Sequence, residues 1–271
     1  MRRLLIISLS IALCAITAKA QDYKDLDSLL NIYTASMRQE SVETKNQEVD
    51  FMISAASDSL VQQHIALSLF DYYKESPLMG EEAVAVHIYD RWFANGRVKM
   101  RGEFDKMDAQ LFANFNRHTL IGDPAPIIKL RKPCLGKKAI PEYGRPALIW
   151  FYDTSCGKCQ MEAKVLPGVL EAEADFPLTV YAVYCGSDKK AWKEFRESLK
   201  VYNPNVHMVH LWDPEIKSDY LRLYGVMSTP KMYMTDPVGN IIGRRLEVES
   251  LPEIFNVASA LSDYYFKAKQ Q

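Results

Sequence analysis

The sequence predicts an all-α domain followed by an α/β domain whose central mixed sheet is flanked by helices. Three observations carry this expectation. Apolar residues recur at helical spacing from about residue 21 to 119. Beyond that stretch, unbroken apolar runs at 147–152 (ALIWFY) and 178–184 (LTVYAVY) are each followed by a helical pattern, at 157–174 and 188–200, which implies buried parallel strands joined by helices. Between the two regimes stands Gly122-Asp123-Pro124-Ala125-Pro126. No helix crosses it, because each proline lacks an N–H and holds its predecessor extended.

Taken in order, residues 1–20 read as a signal peptide: Arg2 and Arg3, an apolar run from Leu4 to Thr17, then Ala18-Lys19-Ala20 as an A-x-A cleavage site. The run is shorter than the roughly 20 residues that span a bilayer. No later segment is apolar enough to do so, and four cysteines remain after cleavage: Cys134, Cys156, Cys159 and Cys185. The expected location is the periplasm, an oxidising compartment, with a lipid anchor or extracellular release as alternatives.

Residues 21–119 are expected to form four or five helices. One face carries Leu26, Leu29, Leu30, Tyr33 and Met37, and others carry Val61, Ile65, Leu69 and Tyr72, then Val84, Ile88 and Trp92, then Met107, Leu111 and Phe115. Ser57 or Ser59 is placed to cap the second face's helix, and Asn95-Gly96 to end the third. The aromatics Tyr72, Tyr73, Tyr89, Trp92, Phe93, Phe112 and Phe115 are spaced as core. In residues 120–271, Met232 to Met234 and Ile241-Ile242 flank a turn at 236–240 and read as a hairpin. Ser250 with Glu253 forms the capping box of a last helix to about Phe266.

Charge sharpens the division. Residues 21–119 carry ten basic and sixteen acidic side chains, a net of −6, and residues 120–271 carry twenty and eighteen, a net of +2. Over the whole chain, 48% hydrophobic content and 33 Lys+Arg against 34 Asp+Glu exclude a disordered tail and a nucleic-acid binder that neutralises phosphates by bulk charge.

Chemistry concentrates at Cys156-Gly157-Lys158-Cys159, where the 147–152 strand gives way to a helix. Thiol exchange needs a thiolate, and a helix N-terminus offers unpaired N–H groups and partial positive charge that favour one. Cys156, at the exposed end, is expected to attack, and Cys159, one turn in, to resolve the mixed disulfide. Zinc would need four ligands, and Cys134, Cys185 and the five histidines (His64, His87, His118, His207 and His210) supply no second pair at ligand spacing. The histidines read as surface or core residues, so no metal and no cofactor is expected. Cys185 ends the strand beside the active-site strand. It and Cys134 read either as small buried hydrophobes or as a structural disulfide.

With Pro230, which follows Val226-Met227-Ser228-Thr229 directly before a strand, residues 122–266 resemble the TlpA/ResA-like thiol-disulfide oxidoreductases, a periplasmic branch of the thioredoxin fold. The resemblance implies a thioredoxin-like fold, a cis-proline at Pro230 facing the dithiol, and Thr229 offering its backbone to a client strand. It places at Glu162 the family's glutamate, associated with proton handling at the buried thiol. Read from the residues alone, Glu162 is equally a solvated partner of the helix dipole. Tyr152 and Ser155, which flank the motif, complete the expected client contacts. Two departures stand out: Ser155 replaces the usual tryptophan before the first cysteine, and Trp150 occupies the position, six residues before Cys156, where many thioredoxins have a buried acid.

The implied activity is reduction of protein disulfides, with a membrane electron-relay partner keeping the dithiol reduced, although Lys158 between the cysteines pushes toward an oxidant. A copper-delivery relative would have three residues between its cysteines, and a peroxidase relative a threonine where Asp153 stands. Residues 21–119 resemble a helical domain found ahead of thioredoxin-like domains in Bacteroidetes secreted proteins. The rival reading is a non-catalytic binding protein that recognises its partner through this helical half.

Overall fold

The computed structural model describes residues 23–269, so the expected signal peptide lies outside the described residues. The chain divides into two compact units between Arg117 and His118.

The first unit is helical throughout. Helices α1 (Lys24–Ser36), α2 (Val42–Ala55), α3 (Ser59–Glu75) and α4 (Glu82–Ile88), a π turn (Tyr89–Phe93) and α5 (Glu103–Asn116) surround one apolar core. Helix α1 buries Leu26, Leu30 and Tyr33, and α3 buries Val61, Ile65 and Leu69, as the periodicity predicts. Tyr72 is at the margin and its neighbour Tyr73 fills the interior. The cap of α3 is Asp58 rather than Ser57 or Ser59. Its Oδ1 accepts the amides of Leu60 and Val61 at 2.8 and 3.1 Å, which leaves Ser59 as the first helical residue.

Helix α2, whose face the sequence reading does not identify, buries Val49, Met52 and Ile53 and also Lys45, whose Nζ donates to Glu81 at 2.5 Å. Helix α5 departs from expectation. It packs through Ala109 and Ala113, while Met107 and Leu111 are exposed. Two small residues one turn apart bring its backbone close to the core, and that choice turns the larger apolar residues away.

The second unit is built on a seven-stranded mixed sheet: β1 (Ile128–Arg131), β2 (Lys137–Ile140), β3 (Ala147–Tyr152), β4 (Leu178–Tyr184), β5 (Val206–Trp212), β6 (Lys231–Thr235) and β7 (Ile241–Arg244) in the order β2-β1-β5-β4-β3-β6-β7. Strands β3, β4 and β5 are parallel, and β6 and β7 complete one side antiparallel, as the hairpin pattern predicts. Strands β1, β2 and β5 go unrecognised in the sequence. The first two are only four residues long, and the apolar run of β5 is broken by His207 and His210.

The period of two along β3 divides the core. Leu148, Trp150 and Tyr152 face α6 (Gly157–Glu173), α7 (Lys189–Ser198) and α9 (Leu251–Lys269), whereas Ala147, Ile149 and Phe151 face the layer containing α8 (Tyr220–Leu223). The stripe Cys159, Glu162, Ala163, Leu166 and Leu170 lays α6 on the sheet. Burial of each leucine in it contributes about 1.5–3 kcal/mol. Ahead of α9 runs a 3-10 turn (Val248–Ser250), and the Ser250 hydroxyl turns back to Glu247, accepting its amide at 3.1 Å and donating to its carbonyl at 2.8 Å. The capping box is therefore Glu247/Ser250, not Ser250/Glu253. Among the described residues no helix is long and apolar enough to cross a membrane.

Candidate active site

The end of β3 feeds α6 through a turn held by Asp153, whose Oδ1 accepts the Ser155 amide at 2.8 Å and the Ser155 hydroxyl at 2.6 Å. This leaves Cys156 extended at the N-cap of α6, where its sulfur accepts the Cys159 amide at 3.3 Å. A sulfur placed there takes an N–H that no helical carbonyl can satisfy, and it sits at the positive end of the helix dipole. Cys156 is partly exposed. Cys159, one turn in, is fully buried.

Across from the pair runs the segment before β6. The Thr229–Pro230 peptide bond is cis, and the Thr229 carbonyl accepts from the Cys156 thiol at 3.2 Å. The structure thus brings together Cys156, Cys159, Thr229 and Pro230, with Ser155 exposed beside them. Glu162 follows Cys159 by three residues on the sheet-facing stripe and is 7% exposed. Tyr152 is a correction. It is fully buried and its hydroxyl accepts Trp192 Nε1–H at 3.0 Å, so it supports the site from behind and cannot touch a client.

The two thiols differ electrostatically. Burial by itself would push Cys156 up, but the hydrogen bonds from the Cys159 thiol and amide, the Thr229 side chain and the Lys158 amide more than offset it, and the Cys156 thiol is held below its ordinary value. Burial pushes Cys159 up to about 12, and its hydrogen bond to Cys156 adds to the rise. Burial likewise raises Glu162 to about 7, opposed by the Lys158 charge and by Trp150, whose indole Nε1–H donates to Glu162 Oε2 at 3.2 Å. Lys158 forms an ion pair with Glu247, which raises its own titration. Its charge is therefore shared with a carboxylate rather than left to act on the thiols.

None of the four described cysteines is in a disulfide. Cys134 is exposed in the β1–β2 turn. Cys185 donates its amide to the Tyr152 carbonyl at 2.8 Å, and burial pushes its thiol up to about 12, which disfavours the thiolate. Among the described residues no three His, Cys, Asp or Glu side chains gather as a metal would require. Two contacts escape the sequence reading: the bond from Trp150 to Glu162 and the pair of Lys158 with Glu247. Each joins residues from separate elements, and only the occurrence of Trp150 where an acid is usual hints at the first.

No protein-family profile matches the sequence, and a search of curated proteins finds no match. Among solved structures, a thioredoxin-like protein from Bacteroides caccae superposes with a TM-score of 0.65 at 13% identity, covering 90% of this chain and 87% of its own. The thioredoxin domain of a thiol-disulfide oxidoreductase from Bacteroides vulgatus matches at 22% identity and TM-score 0.45, covering 51% of this chain and 97% of its own. A thiol:disulfide interchange protein from Bacteroides sp. matches at 23% and 0.44, covering 54% and 92%. The first of these, together with the sheet order, shows that the fold is thioredoxin-like.

Proposed function

We propose that this thioredoxin-like chain is a thiol-disulfide oxidoreductase that reduces protein disulfides through Cys156 and Cys159. The carrying observation is the division of labour between two thiols three residues apart, one partly exposed at a helix N-cap with its titration lowered, the other buried with its titration raised.

In this reading the Cys156 thiolate attacks one sulfur of a client disulfide, forming a mixed disulfide and releasing the client's other sulfur as a thiolate. Cys159 then loses its proton to Glu162, which near neutral pH is divided between its two forms, and attacks the Cys156 sulfur. The client leaves with two thiols, and the protein keeps a Cys156–Cys159 disulfide carrying the two-electron oxidation. Thr229 holds the client strand through its backbone beside Pro230. The exposed pair of Lys158 with Glu247 offsets part of the push of Lys158 toward an oxidant. A membrane electron-relay partner restores the dithiol, and the signal pattern at 1–20 supports action in the periplasm.

Equilibration with glutathione tests the reading. The expected potential lies nearer the reducing end of the range for this fold, about −270 mV, than the oxidising end near −120 mV. A chain that exchanges no disulfide, or whose Cys156→Ser variant exchanges as fast as wild type, refutes it.

A further inference from the structure

We propose that Trp150 is a positioning residue that fixes the Glu162 carboxylate for proton transfer with Cys159, taking the place of a buried acid in the strand under the dithiol. The proposal rests on the reading of the dithiol as catalytic.

Trp150 lies on β3 six residues before Cys156, and its side chain belongs to the core layer that contains Cys159. An indole N–H can only donate, and buried completely it needs an acceptor. The acceptor is Glu162 Oε2 at 3.2 Å. The ring has little freedom to leave this bond. It stacks on Tyr152 at 4.6 Å between centroids with 24° between planes, and the Tyr152 hydroxyl is itself fixed by Trp192 Nε1–H at 3.0 Å. A rigid donor from the sheet therefore holds a carboxylate from the helix, and Cys159 occupies the preceding turn of the same stripe.

The bond also sets when the carboxylate is ionised. Burial favours its protonated form, and Lys158 on the same helix and the Trp150 N–H oppose burial, while Glu247 and Glu249 at the 3-10 turn reinforce it. Of the two groups that favour the ionised form, Lys158 acts through its charge and Trp150 is the one that bonds the carboxylate directly. The step it serves is balanced: the Cys159 S–H proton passes to Glu162, a bond forms between the Cys159 and Cys156 sulfurs, and the client sulfur leaves with its electron pair.

Oxidation of the reduced protein by the aromatic disulfide 5,5′-dithiobis(2-nitrobenzoate), in a Cys134→Ser background that removes the exposed third thiol, separates the stages, since attack by Cys156 releases the first chromophore and resolution by Cys159 the second. In Trp150→Phe the ratio of resolution to attack rate should fall about tenfold at about pH 6, and the midpoint of its pH profile should move up by about one unit, the size expected for a lost hydrogen bond to a charged group. Benzothienylalanine in place of Trp150, which keeps the bicyclic ring and lacks the N–H, should do the same if the phenylalanine variant folds poorly. In Glu162→Gln the pH step should vanish, and adding Trp150→Phe to it should change the ratio no further. An equal loss from Trp150→Phe in the Glu162→Gln background would mean that Trp150 acts by packing alone and would overturn the proposal. If the wild-type dithiol releases no chromophore, the functional reading fails by itself. The Glu162 carboxyl titration by infrared difference spectroscopy then still decides on Trp150: a higher midpoint in Trp150→Phe supports the assignment and an unmoved one overturns it.

Discussion

Replacing Glu162 with glutamine should stabilise the reduced protein in alkali and change it little in acid. Burial penalises the charged form and raises the carboxyl from its ordinary value of 4.5 to about 7 in the fold. Between these two values the folded chain holds a proton that the unfolded chain has released. Stability must therefore fall as pH rises through that window and stay low above it. At 1.36 kcal/mol per pH unit the interval corresponds to about 3 kcal/mol, and water screening at the partly solvated edge brings it to about 2–3 kcal/mol. Glutamine matches the shape and keeps an oxygen for the Trp150 N–H, but has no charge to bury. Urea unfolding under reductant, followed by tryptophan fluorescence, measures the difference at several pH values. The advantage of Glu162→Gln over wild type should grow by about 2–3 kcal/mol between about pH 4.5 and 8. If the two proteins show parallel pH dependence, Glu162 titrates as an ordinary surface carboxyl and is no buried proton carrier.

Iodoacetamide at neutral pH should modify Cys156 well before Cys159 in the reduced protein, as read by peptide mass; preferential labelling of Cys159 would reverse their roles. In Cys159→Ala the mixed disulfide has no intramolecular exit, so Cys156 should accumulate bound to client proteins on non-reducing gels, and an empty gel would count against protein clients. Glu247→Gln leaves Lys158 uncompensated and should make the dithiol more oxidising, by about 10 mV given the small worth of an exposed pair; a shift of the opposite sign would contradict the assigned role of the pair. Asp58→Ala removes the cap of α3 and should cost about 1 kcal/mol in urea unfolding, whereas Ser59→Ala, at a position with no capping bond, should cost far less.

Local chemistry was legible in the sequence. The apolar runs of β3 and β4, each short and followed by a helical pattern, read as buried strands, the Pro-rich segment could carry no helix, and CGKC after a strand indicated which thiol would meet solvent. Each of these depends on neighbours in the chain, and the periodicity records neighbours directly. What failed were choices between faces and partners. Helix α5 had two apolar faces available, and the close approach allowed by Ala109 and Ala113 decided against Met107 and Leu111. Tyr152 stands four residues before Cys156, yet the alternation along β3 sends it inward to Trp192. The character of Glu162 was undecidable from its place on a helix, since a carboxylate near a helix N-terminus suits water equally well. Only the tertiary structure, by laying that helix face on the sheet, buried it against the indole of Trp150, because desolvation and a donor from another strand arise from packing and leave no trace in sequence spacing.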